Sequence, residues 1–335
     1  MDSPAPLPPA GHASPDQIAA AAEILRQGGL VAFPTETVYG LGADASNEAA
    51  IRRIFAAKGR PADHPVIVHL AEAQDMHDWC YQIPKCALRL ADCYWPGPLT
   101  MILKRNSKAL DVVTGGQDTV GLRVPAHPVA QALLKQFGGA IAAPSANRFG
   151  RLSPTLALHV RQELGEAVDC ILDGGPAEVG LESTIVDLTG EQPTLLRPGA
   201  VTVDQLQAVI GEYLGNSEES PTRASGRLES HYAPRAQVLI VEPLQLPGTM
   251  RTVEAAGRRF AVLSEPFVAK AANVNQAHWY KLPADPIVRA QRLYIALRAA
   301  DDAGYQTLIV VHERDPAGQD AAIWDRLQKA AAPRR

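Results

Sequence analysis

The chain has 335 residues, of which 46% are hydrophobic and 20% charged, a composition typical of an ordinary globular protein. Its net charge of −4 argues against a broadly basic nucleic-acid-binding surface, and its four cysteines include no C-x-x-C pair, which argues against zinc ribbons and thiol redox motifs. No apolar stretch approaches the roughly 20 residues that span a bilayer, and the Pro- and Ala-rich start has no secretory signal pattern. We therefore expect a cytoplasmic protein with reduced thiols, long enough for two domains.

The charges are divided unevenly along the chain. Residues 1–213 contain 16 Lys and Arg against 23 Asp and Glu, a net charge of −7, whereas the remainder contains 16 against 13, a net charge of +3. Many cations of the acidic part lie within or beside unusual motifs. This favours local recognition of an anion over a broad electrostatic surface.

Helix and strand signals alternate through residues 14–213, after a predicted disordered start at residues 1–13. Ser14 with a following proline predicts the beginning of a first helix, a Gly-Gly pair predicts its end, and Asn47 predicts the cap of a second helix. The alternation predicts an α/β or α+β domain with a mixed sheet. Strands are predicted at 66–70, 99–103, 120–124, 140–143, 168–172 and 184–188, and helices at 85–94, 127–137, 154–164 and 202–211.

A polar linker at residues 214–235 separates this domain from a second alternation at residues 236–331. A linker of this length suggests a function beyond connection. The second alternation predicts a small, open, Rossmann-like α/β domain, and because it lacks a G-x-G-x-x-G fingerprint it is no indication of a dinucleotide. Strands are predicted at 237–241, 259–263 and 307–312, and helices at 247–259, 285–302 and 319–330.

The segment 28–43, GGLVAFPTETVYGLGA, is the most informative part of the sequence. Pro34 ends a short apolar strand, and Thr35 opens a polar stretch before two glycines that allow a sharp turn or a close approach to a ligand. Lys58 and Arg60 would point the same way in an extended segment and would form a two-pronged clamp for an anion. Together these features suggest that a small polar substrate and a phosphate compound meet in one cleft.

Other polar groups follow or end predicted strands, which is where α/β sheets bind ligands. Each has an ordinary alternative: a solvated pair at Lys58 and Arg60, a helix cap, polar strand residues, or a structural ion pair for a buried arginine. His69, at the end of an apolar strand, is interpreted as structural rather than catalytic, and His231-Tyr232 could be linker packing. The sites in question are Arg123, Ser145 with Asn147, Glu182 with Ser183 and Thr184, and Arg197.

The chain closely resembles the YrdC-type threonylcarbamoyl-AMP synthases in their longer, two-domain form. The matching motifs occur in the family's order over about residues 15–200, and the linker extends the match to nearly the full chain. They are GGLVAFPTETVYGLGADA, Lys58-x-Arg60, HPVIVHL, YWPGPLT, TVGLRVPAHP, APSAN, ESTIVD, LLRPG and, after the linker, HYAP.

This resemblance implies a YrdC-like twisted mixed sheet with flanking helices in the catalytic domain (14–213), a linker or lid (214–235) and the C-terminal domain (236–331). It implies synthesis of threonylcarbamoyl-AMP and pyrophosphate from L-threonine, bicarbonate and ATP, for modification of adenosine 37 in tRNAs that read ANN codons. By family position, threonine is held by Thr35, Ile67, Arg123, Ala143 and Ser183. Lys58, Arg60 and Arg197 stabilise charge, and ATP is bound by these three with Ala62, Thr119, Ser145, Asn147, Ser153, Ser230, His231 and Tyr232.

Mg²⁺ is expected to accompany the nucleotide, its ligands remain open, and a tRNA threonylcarbamoyl-transfer complex is the expected downstream partner. The linker departs from the family, whose linkers begin with a Pro-Gly-Met-like stretch, since residues 225–230 read SGRLES. We still expect residues 230–232 to form a lid over the nucleotide. Two other classes stay open: an RNA-binding accessory protein without synthase activity, and a carbamoyltransferase-like enzyme, whose acylphosphatase-like and zinc-finger segments this chain lacks.

Overall fold

The computed structural model describes residues 13–215, 220–228, 230–275, 278–312 and 316–333. The predicted disordered start, apart from Ala13, lies outside these residues. In the first part of the chain the elements are α1 (Pro15–Arg26), β1 (Val31–Phe33), β2 (Gly40–Asp44), α2 (Glu48–Lys58), β3 (Val68–His69), α3 (Lys85–Tyr94), β4 (Leu99–Lys104), α4 (Asp111–Thr114), β5 (Thr119–Arg123), α5 (Pro128–Phe137), β6 (Ile141–Ala142), α6 (Ala157–Leu164), β7 (Cys170–Ile171), β8 (Thr184–Asp187), β9 (Thr194–Arg197) and α7 (Val203–Ile210).

These nine strands form one mixed sheet in the order β7-β1-β2-β6-β3-β5-β4-β8-β9. The pairs β1–β7, β3–β5 and β4–β8 are parallel, and the remaining neighbours are antiparallel. Helices cover the sheet, and several apolar clusters fill the space beneath them, the largest centred on β3, β4 and β5. The predicted fold class, a twisted mixed sheet with flanking helices, is confirmed.

The helix termini follow from local capping. Ser14 and Gln17 form a capping box at the start of α1, in which each side chain accepts a hydrogen bond from the other residue's backbone N–H. The side chain of Asn47 accepts a hydrogen bond from the N–H of Ala50 at the start of α2. Both predicted helix starts are therefore confirmed.

The two glycines after Pro34 do not form a turn. Gly40 and Gly42 lie inside strand β2, and a Cβ atom added at Gly42 would stand 2.7 Å from Ile141 and 2.8 Å from Phe33. Gly42 lets the neighbouring strands pack closely, which is neither the sharp turn nor the close approach to a ligand that was expected of it. The sequence patterns also missed four other short elements, each of six residues or fewer: the strands Thr194–Arg197 and Trp279–Lys281 and the helices Asp111–Thr114 and Pro266–Ala271.

The second part of the chain contains a four-stranded sheet in the order β10-β13-β11-β12, with every neighbouring pair parallel. The last helix, α11, packs beside β10. This is the predicted small Rossmann-like domain. Its elements are β10 (Gln237–Val241), α8 (Leu246–Ala255), β11 (Phe260–Ser264), α9 (Pro266–Ala271), β12 (Trp279–Lys281), α10 (Pro286–Asp302), β13 (Thr307–Val311) and α11 (Asp320–Ala331).

The second part of the chain packs against loops and a helix of the first part through apolar contacts and an ion pair. Val38, Leu152 and Leu181 pack into the apolar cluster of the second part of the chain. Arg298 of α10 forms an ion pair of 2.8 Å with Glu163 of α6, and both side chains are largely buried. Among the described residues, no helix has the length and hydropathy of a membrane span.

Candidate active site

A single cleft collects residues from distant parts of the chain at one edge of the large sheet. Its walls come from the loop between β1 and β2, the ends of β3, β5 and β6, the segments that begin β8 and end β9, and the linker. The space between them is about 530 Å³, including solvent at the mouth. The cleft is lined by Thr35, Thr37, Val38, Gly40, Arg60, Ile67, His69, Arg123, Ala143, Pro144, Ser145, Glu182, Ser183, Arg197, Ser225, Gly226, His231 and Tyr232.

Most residues predicted to bind ligands meet in this cleft. All five predicted threonine contacts line it, as do two of the three predicted charge-stabilising residues and three of the other predicted ATP contacts. The remaining predicted residues do not line it: Lys58, Ala62, Thr119, Asn147, Ser153 and Ser230.

The predicted clamp of Lys58 and Arg60 has a different geometry from the one expected. Lys58 is the last residue of α2 and Gly59 is left-handed, with φ of 62°, so the segment is not extended and the two side chains are not parallel. The Lys58 ammonium is buried and donates hydrogen bonds of 2.5 Å to the carbonyls of Ser145 and Asn147. Burial, and secondarily the charge of Arg60, hold its pKa well below the usual range. Lys58 thus supports the loop that carries Ser145 from behind.

Because Lys58 holds two buried carbonyls, we expect Lys58→Ala to weaken ATP use more than tenfold by loosening this loop. The measurement is the ATP dependence of pyrophosphate release. Lys85→Ala, which removes an exposed lysine at the start of α3, is the matched control and should leave the kinetics unchanged. Wild-type kinetics in Lys58→Ala would show that this support of the loop does not matter for ATP use.

Arg60 and Arg197 both contact the linker at Ser225. The Arg60 guanidinium donates to the Ser225 hydroxyl at 3.2 Å and to the carbonyl of Pro65 at 2.8 Å. Arg197 donates to the Ser225 carbonyl at 3.1 Å and to the carbonyl and hydroxyl of Ser183 at 2.9 and 3.0 Å. Burial lowers the pKa of Arg60 to about 10, and nearby Arg197 adds to this effect. The linker oxygens therefore occupy a position where two buried guanidiniums converge, which is a position suited to an anion.

Arg123 is buried and paired within the protein. Its guanidinium donates to Glu36 at 2.7 Å, to the Thr37 hydroxyl at 2.8 Å and to the Gly97 carbonyl at 3.2 Å. The second oxygen of Glu36 accepts a hydrogen bond from the backbone of Ala126. The structural ion pair that was one alternative for Arg123 is present, and the side chain nevertheless lines the cleft.

The predicted threonine-site hydroxyls are already hydrogen-bonded by their surroundings. The Thr35 hydroxyl bonds to the Val38 carbonyl at 2.6 Å and to the Thr37 hydroxyl at 2.8 Å, which shapes the turn after β1. The Ser183 hydroxyl bonds to that of Thr100 at 2.7 Å. Both side chains are preorganised, so a ligand meets hydroxyls whose orientation is set in advance.

Glu182 connects the cleft to the second part of the chain. Arg326 of α11 donates to its carboxylate at 2.7 Å, Ser153 and Tyr294 also donate to it, and Arg326 stacks over Tyr232 at 5.2 Å. Burial opposes ionisation of Glu182, but the charges of Arg326 and Arg197, together with the hydrogen bonds from Arg326 and Ser153, outweigh it and lower the pKa to about 2. A carboxylate in the cleft wall and a linker tyrosine therefore share one buried partner on the last helix.

The predicted ATP contacts outside the lining have other surroundings. The amide of Asn147 donates to the carbonyls of Arg148 and Arg151 and stabilises the loop after β6. Ser153 lies behind Glu182. Thr119 is at the opposite end of β5 from Arg123, and Ala62 lines a groove beside α4. Ser230 does not line the cleft, although it directly precedes the lining residue His231.

Sequence reasoning missed several residues of the site. His69, assigned to structure, lines the cleft, and Ser225 and Gly226 of the divergent linker segment line it as well. Phe149 lies beside it, with the Arg60 guanidinium 5.7 Å and the His231 ring 5.8 Å from its ring. The alternation of β3 could have indicated His69, because Val68 faces the core and its neighbour must face the other side.

The cleft does not fit a protein-bound metal ion. Within the described ranges, no group of three or more His, Cys, Asp or Glu side chains could hold one. Glu182, the carboxylate that lines the cleft, forms an ion pair with Arg326.

The fold and the cleft define a two-domain α/β protein with a polar cleft in which the guanidinium groups of Arg60 and Arg197 converge. A family model described as "Telomere recombination" matches residues 23–199, and one described as the C-terminal domain of threonylcarbamoyl-AMP synthase matches residues 201–332. The chain therefore belongs to the two-domain threonylcarbamoyl-AMP synthase family, and the predicted family membership is confirmed.

The similarity to known proteins extends over nearly the whole length of this chain. Threonylcarbamoyl-AMP synthase of Bacillus subtilis is 42% identical over 329 residues, covering 95% of this chain and 94% of the relative. That of Pyrococcus abyssi is 39% identical over 332 residues, with 95% of both chains covered. The crystal structure of P. abyssi Sua5 complexed with L-threonine matches with a TM-score of 0.89 and 37% identity over 96% of each chain.

Proposed function

We propose that this protein joins L-threonine, bicarbonate and ATP into threonylcarbamoyl-AMP and releases pyrophosphate, as a nucleotidyltransferase of the cytoplasm. The observation that carries the proposal is the meeting of all five predicted threonine residues with Arg60 and Arg197 in one cleft. Its relatives are named for this product, and a relative has been crystallised with L-threonine. We infer that the product is consumed by a tRNA threonylcarbamoyl-transfer complex.

The threonine end of the cleft is assigned to Thr35, Ile67, Arg123, Ala143 and Ser183. Arg123 keeps unused N–H groups beside its bond to Glu36, and a carboxylate is the natural acceptor for them. The apolar lining groups at this end suit the single methyl group by which threonine exceeds serine. Such a contact contributes only about 1–3 kcal/mol of discrimination.

The nucleotide end is assigned to Arg60, Arg197, Ser145 and His231. The Ser225 oxygens now bonded to both arginines stand in for phosphate oxygens, so ATP must displace this part of the linker when it binds. Lys58 and Asn147 act from behind by fixing the backbone of the loop after β6. ATP is proposed to enter with Mg²⁺ on its phosphates.

The chemistry needs positioning and charge stabilisation but no protein nucleophile. The amine of threonine and bicarbonate form a carbamate with loss of water. A carbamate oxygen then attacks the α-phosphorus of ATP, and pyrophosphate leaves with the electron pair of the broken P–O bond. Arg60 and Arg197 stabilise the charge that builds up on the leaving group, in a site shielded from water by the linker.

The test is pyrophosphate release from ATP in the presence of bicarbonate with threonine, with serine or with no amino acid. We expect release with threonine, far less with serine, and none without an amino acid. Release that does not depend on threonine would refute the proposal. Tight tRNA binding with a steep salt dependence and no pyrophosphate would support an RNA-binding accessory protein instead.

The lid conformation depends on Gly226, which has φ of 85° and lies against Tyr232 and Arg197. A Cβ atom at this position would overlap the Tyr232 hydroxyl and stand 3.1 Å from Arg197, so Gly226→Ala has to shift these two predicted ATP contacts. We therefore expect kcat/KM for ATP to fall about tenfold, even though the linker at Ser225 itself gives way to ATP. Gly211→Ala is the matched control, because Gly211 has φ of 83° with no atom within 4 Å of the added Cβ. Equal kinetics in the two variants would show that lid packing is irrelevant to turnover.

A further inference from the structure

The loop at residues 174–183, which leads into β8, lies directly against helix α10 of the second part of the chain. A Cβ atom added at Gly180 would stand 2.5 Å from Cα of Gln291 and 2.7 Å from the carbonyl oxygen of Ala290. The side-chain amide of Gln291 donates to the carbonyl of Glu178 at 2.5 Å. Gly180 also has φ of 78°, a left-handed conformation. Both the backbone conformation and the close approach of the helix therefore require glycine here.

The other side of this loop contacts the turn after β1. The N–H of Val179 donates to the backbone carbonyl of Glu36 at 2.7 Å. Leu181 of the loop and Val38 of the turn are both buried in the apolar cluster of the second part of the chain. The loop thus lies between α10 and the turn and contacts both.

The turn after β1 carries groups that shape the threonine end of the cleft. The Glu36 carboxylate accepts a hydrogen bond from Arg123 at 2.7 Å, and the Val38 carbonyl accepts one from the Thr35 hydroxyl at 2.6 Å. Arg123 and Thr35 both line the cleft. A displacement of the turn would therefore move a guanidinium and a hydroxyl of the threonine end together.

The nucleotide end contacts the second part of the chain through other residues. Arg326 of α11 pairs with Glu182 and stacks over Tyr232, and the N–H of His231 donates to the Lys329 carbonyl at 3.2 Å. Helix α10 takes part there as well, since its Tyr294 donates to Glu182. The contacts of Gly180 and Gln291 with each other and with Glu178 are thus separate from those that support the nucleotide end.

We propose that Gly180 and Gln291 are positioning residues for the amino-acid substrate. Through them, helix α10 holds the loop against the turn after β1, and the turn in turn holds Arg123 and Thr35 in the orientation that the substrate requires. The second part of the chain therefore sets the affinity for the amino acid without contacting it. This inference rests on the proposed function, which assigns Arg123 and Thr35 to threonine.

The first experiment is calorimetric titration of L-threonine into Gly180→Ala, with KM for threonine and for ATP measured in pyrophosphate release. The added methyl group must push the loop away from the backbone of α10, so we expect Kd and KM for threonine to rise about tenfold or more. KM for ATP should stay within about twofold of wild type. Gly138→Ala is the matched control, because Gly138 has φ of 74° with no atom within 4 Å of the added Cβ.

The split between the two substrates separates positioning from a general structural role. Equal losses of threonine and ATP affinity in Gly180→Ala would overturn the inference in favour of a general disturbance of the fold, as would threonine affinity equal to that of wild type. Wild-type protein that binds threonine but shows no threonine-dependent pyrophosphate release would instead refute the proposed function, and the titration would still test the positioning.

Should Gly180→Ala fail to fold, Gln291→Glu is the substitute. A carboxylate has the shape of the amide but cannot donate to the Glu178 carbonyl, so the threonine Kd should rise about threefold to tenfold. Gln136→Glu introduces the same charge at an exposed position of α5 and should bind threonine as wild type does. Wild-type threonine affinity in a folded Gln291→Glu would overturn the inference.

A double-mutant cycle tests the route through Glu36. Glu36→Gln weakens the pairing with Arg123, so a displaced turn has less effect on the guanidinium. In the Glu36→Gln background, Gln291→Glu should therefore change the threonine Kd by less than about twofold. Full additivity of the two effects would overturn the route from α10 to Arg123.

Discussion

Arg326→Met is expected to destabilise the protein by about 3–5 kcal/mol and to lower activity at least tenfold, although Arg326 does not line the cleft. The variant leaves the Glu182 carboxylate buried without its ion-pair partner and removes the cation that stacks over Tyr232. The lid would lose its support on the last helix. The measurements are the midpoint of thermal unfolding, expected to fall by about 10 °C, and kcat/KM for ATP at a temperature where the variant is folded.

The matched control is the double variant Arg326→Met with Glu182→Gln. Removing both charges avoids an unpaired buried carboxylate, so more than half of the lost stability should return. If the single and double variants are equally unstable, Arg326 acts through packing rather than through its charge.

The ion pair between Glu182 and Arg326 predicts a loss of stability in acid. The pKa of Glu182 falls from an ordinary 4.5 to about 2 on folding, so its stabilising contribution is present above about pH 4.5 and is lost as the pH falls towards 2. A shift of this size corresponds to about 3 kcal/mol. Unfolding free energies measured at pH 6 and pH 3 should differ more in wild type than in Glu182→Gln.

Arg197→Met is expected to lower kcat/KM for ATP about 100-fold or more. Arg197 is the guanidinium that joins Ser183 at the threonine end to Ser225 at the nucleotide end, and removal of one preorganised charge-stabilising donor typically costs a factor of this size. Pyrophosphate release at varied ATP and varied threonine measures the effect. We expect kcat to fall as well as KM for ATP to rise, because the charge develops on the leaving pyrophosphate.

Two further variants test the geometry of this arginine. Arg197→Lys keeps the charge but not the planar fork, so it should lie between wild type and Arg197→Met. Arg161→Met removes an exposed arginine of α6 and should behave as wild type. An Arg197→Met enzyme with wild-type kcat/KM would place the pyrophosphate elsewhere.

The sequence predicted the helices and strands better than it predicted the contacts between their side chains. The helix starts at Ser14 and Asn47 and the bounds of α3 and β10 were predictable, because capping and side-chain periodicity act over a few residues. The extended clamp geometry was predicted wrongly because Gly59 ends α2 in a left-handed conformation. Lys58 bonds to the carbonyls of the loop after β6, whereas Arg60 bonds to Pro65 and Ser225. Two residues of like charge at close spacing do not reveal whether the intervening backbone is helical or extended.

By itself, the sequence determined the family, the two sheets and the strand-end motifs whose residues line the cleft. Only the tertiary structure decided that Glu182 is neutralised by Arg326, 144 residues away, that Ser225 of the linker bonds to Arg60 and Arg197, and that Nδ1 of His69 is buried without a partner. Local hydrogen bonding and apolar periodicity leave a signal within one segment. Pairing and desolvation of buried polar groups depend on which distant segments pack together, so they are decided only when the two sheets and the linker close around the cleft.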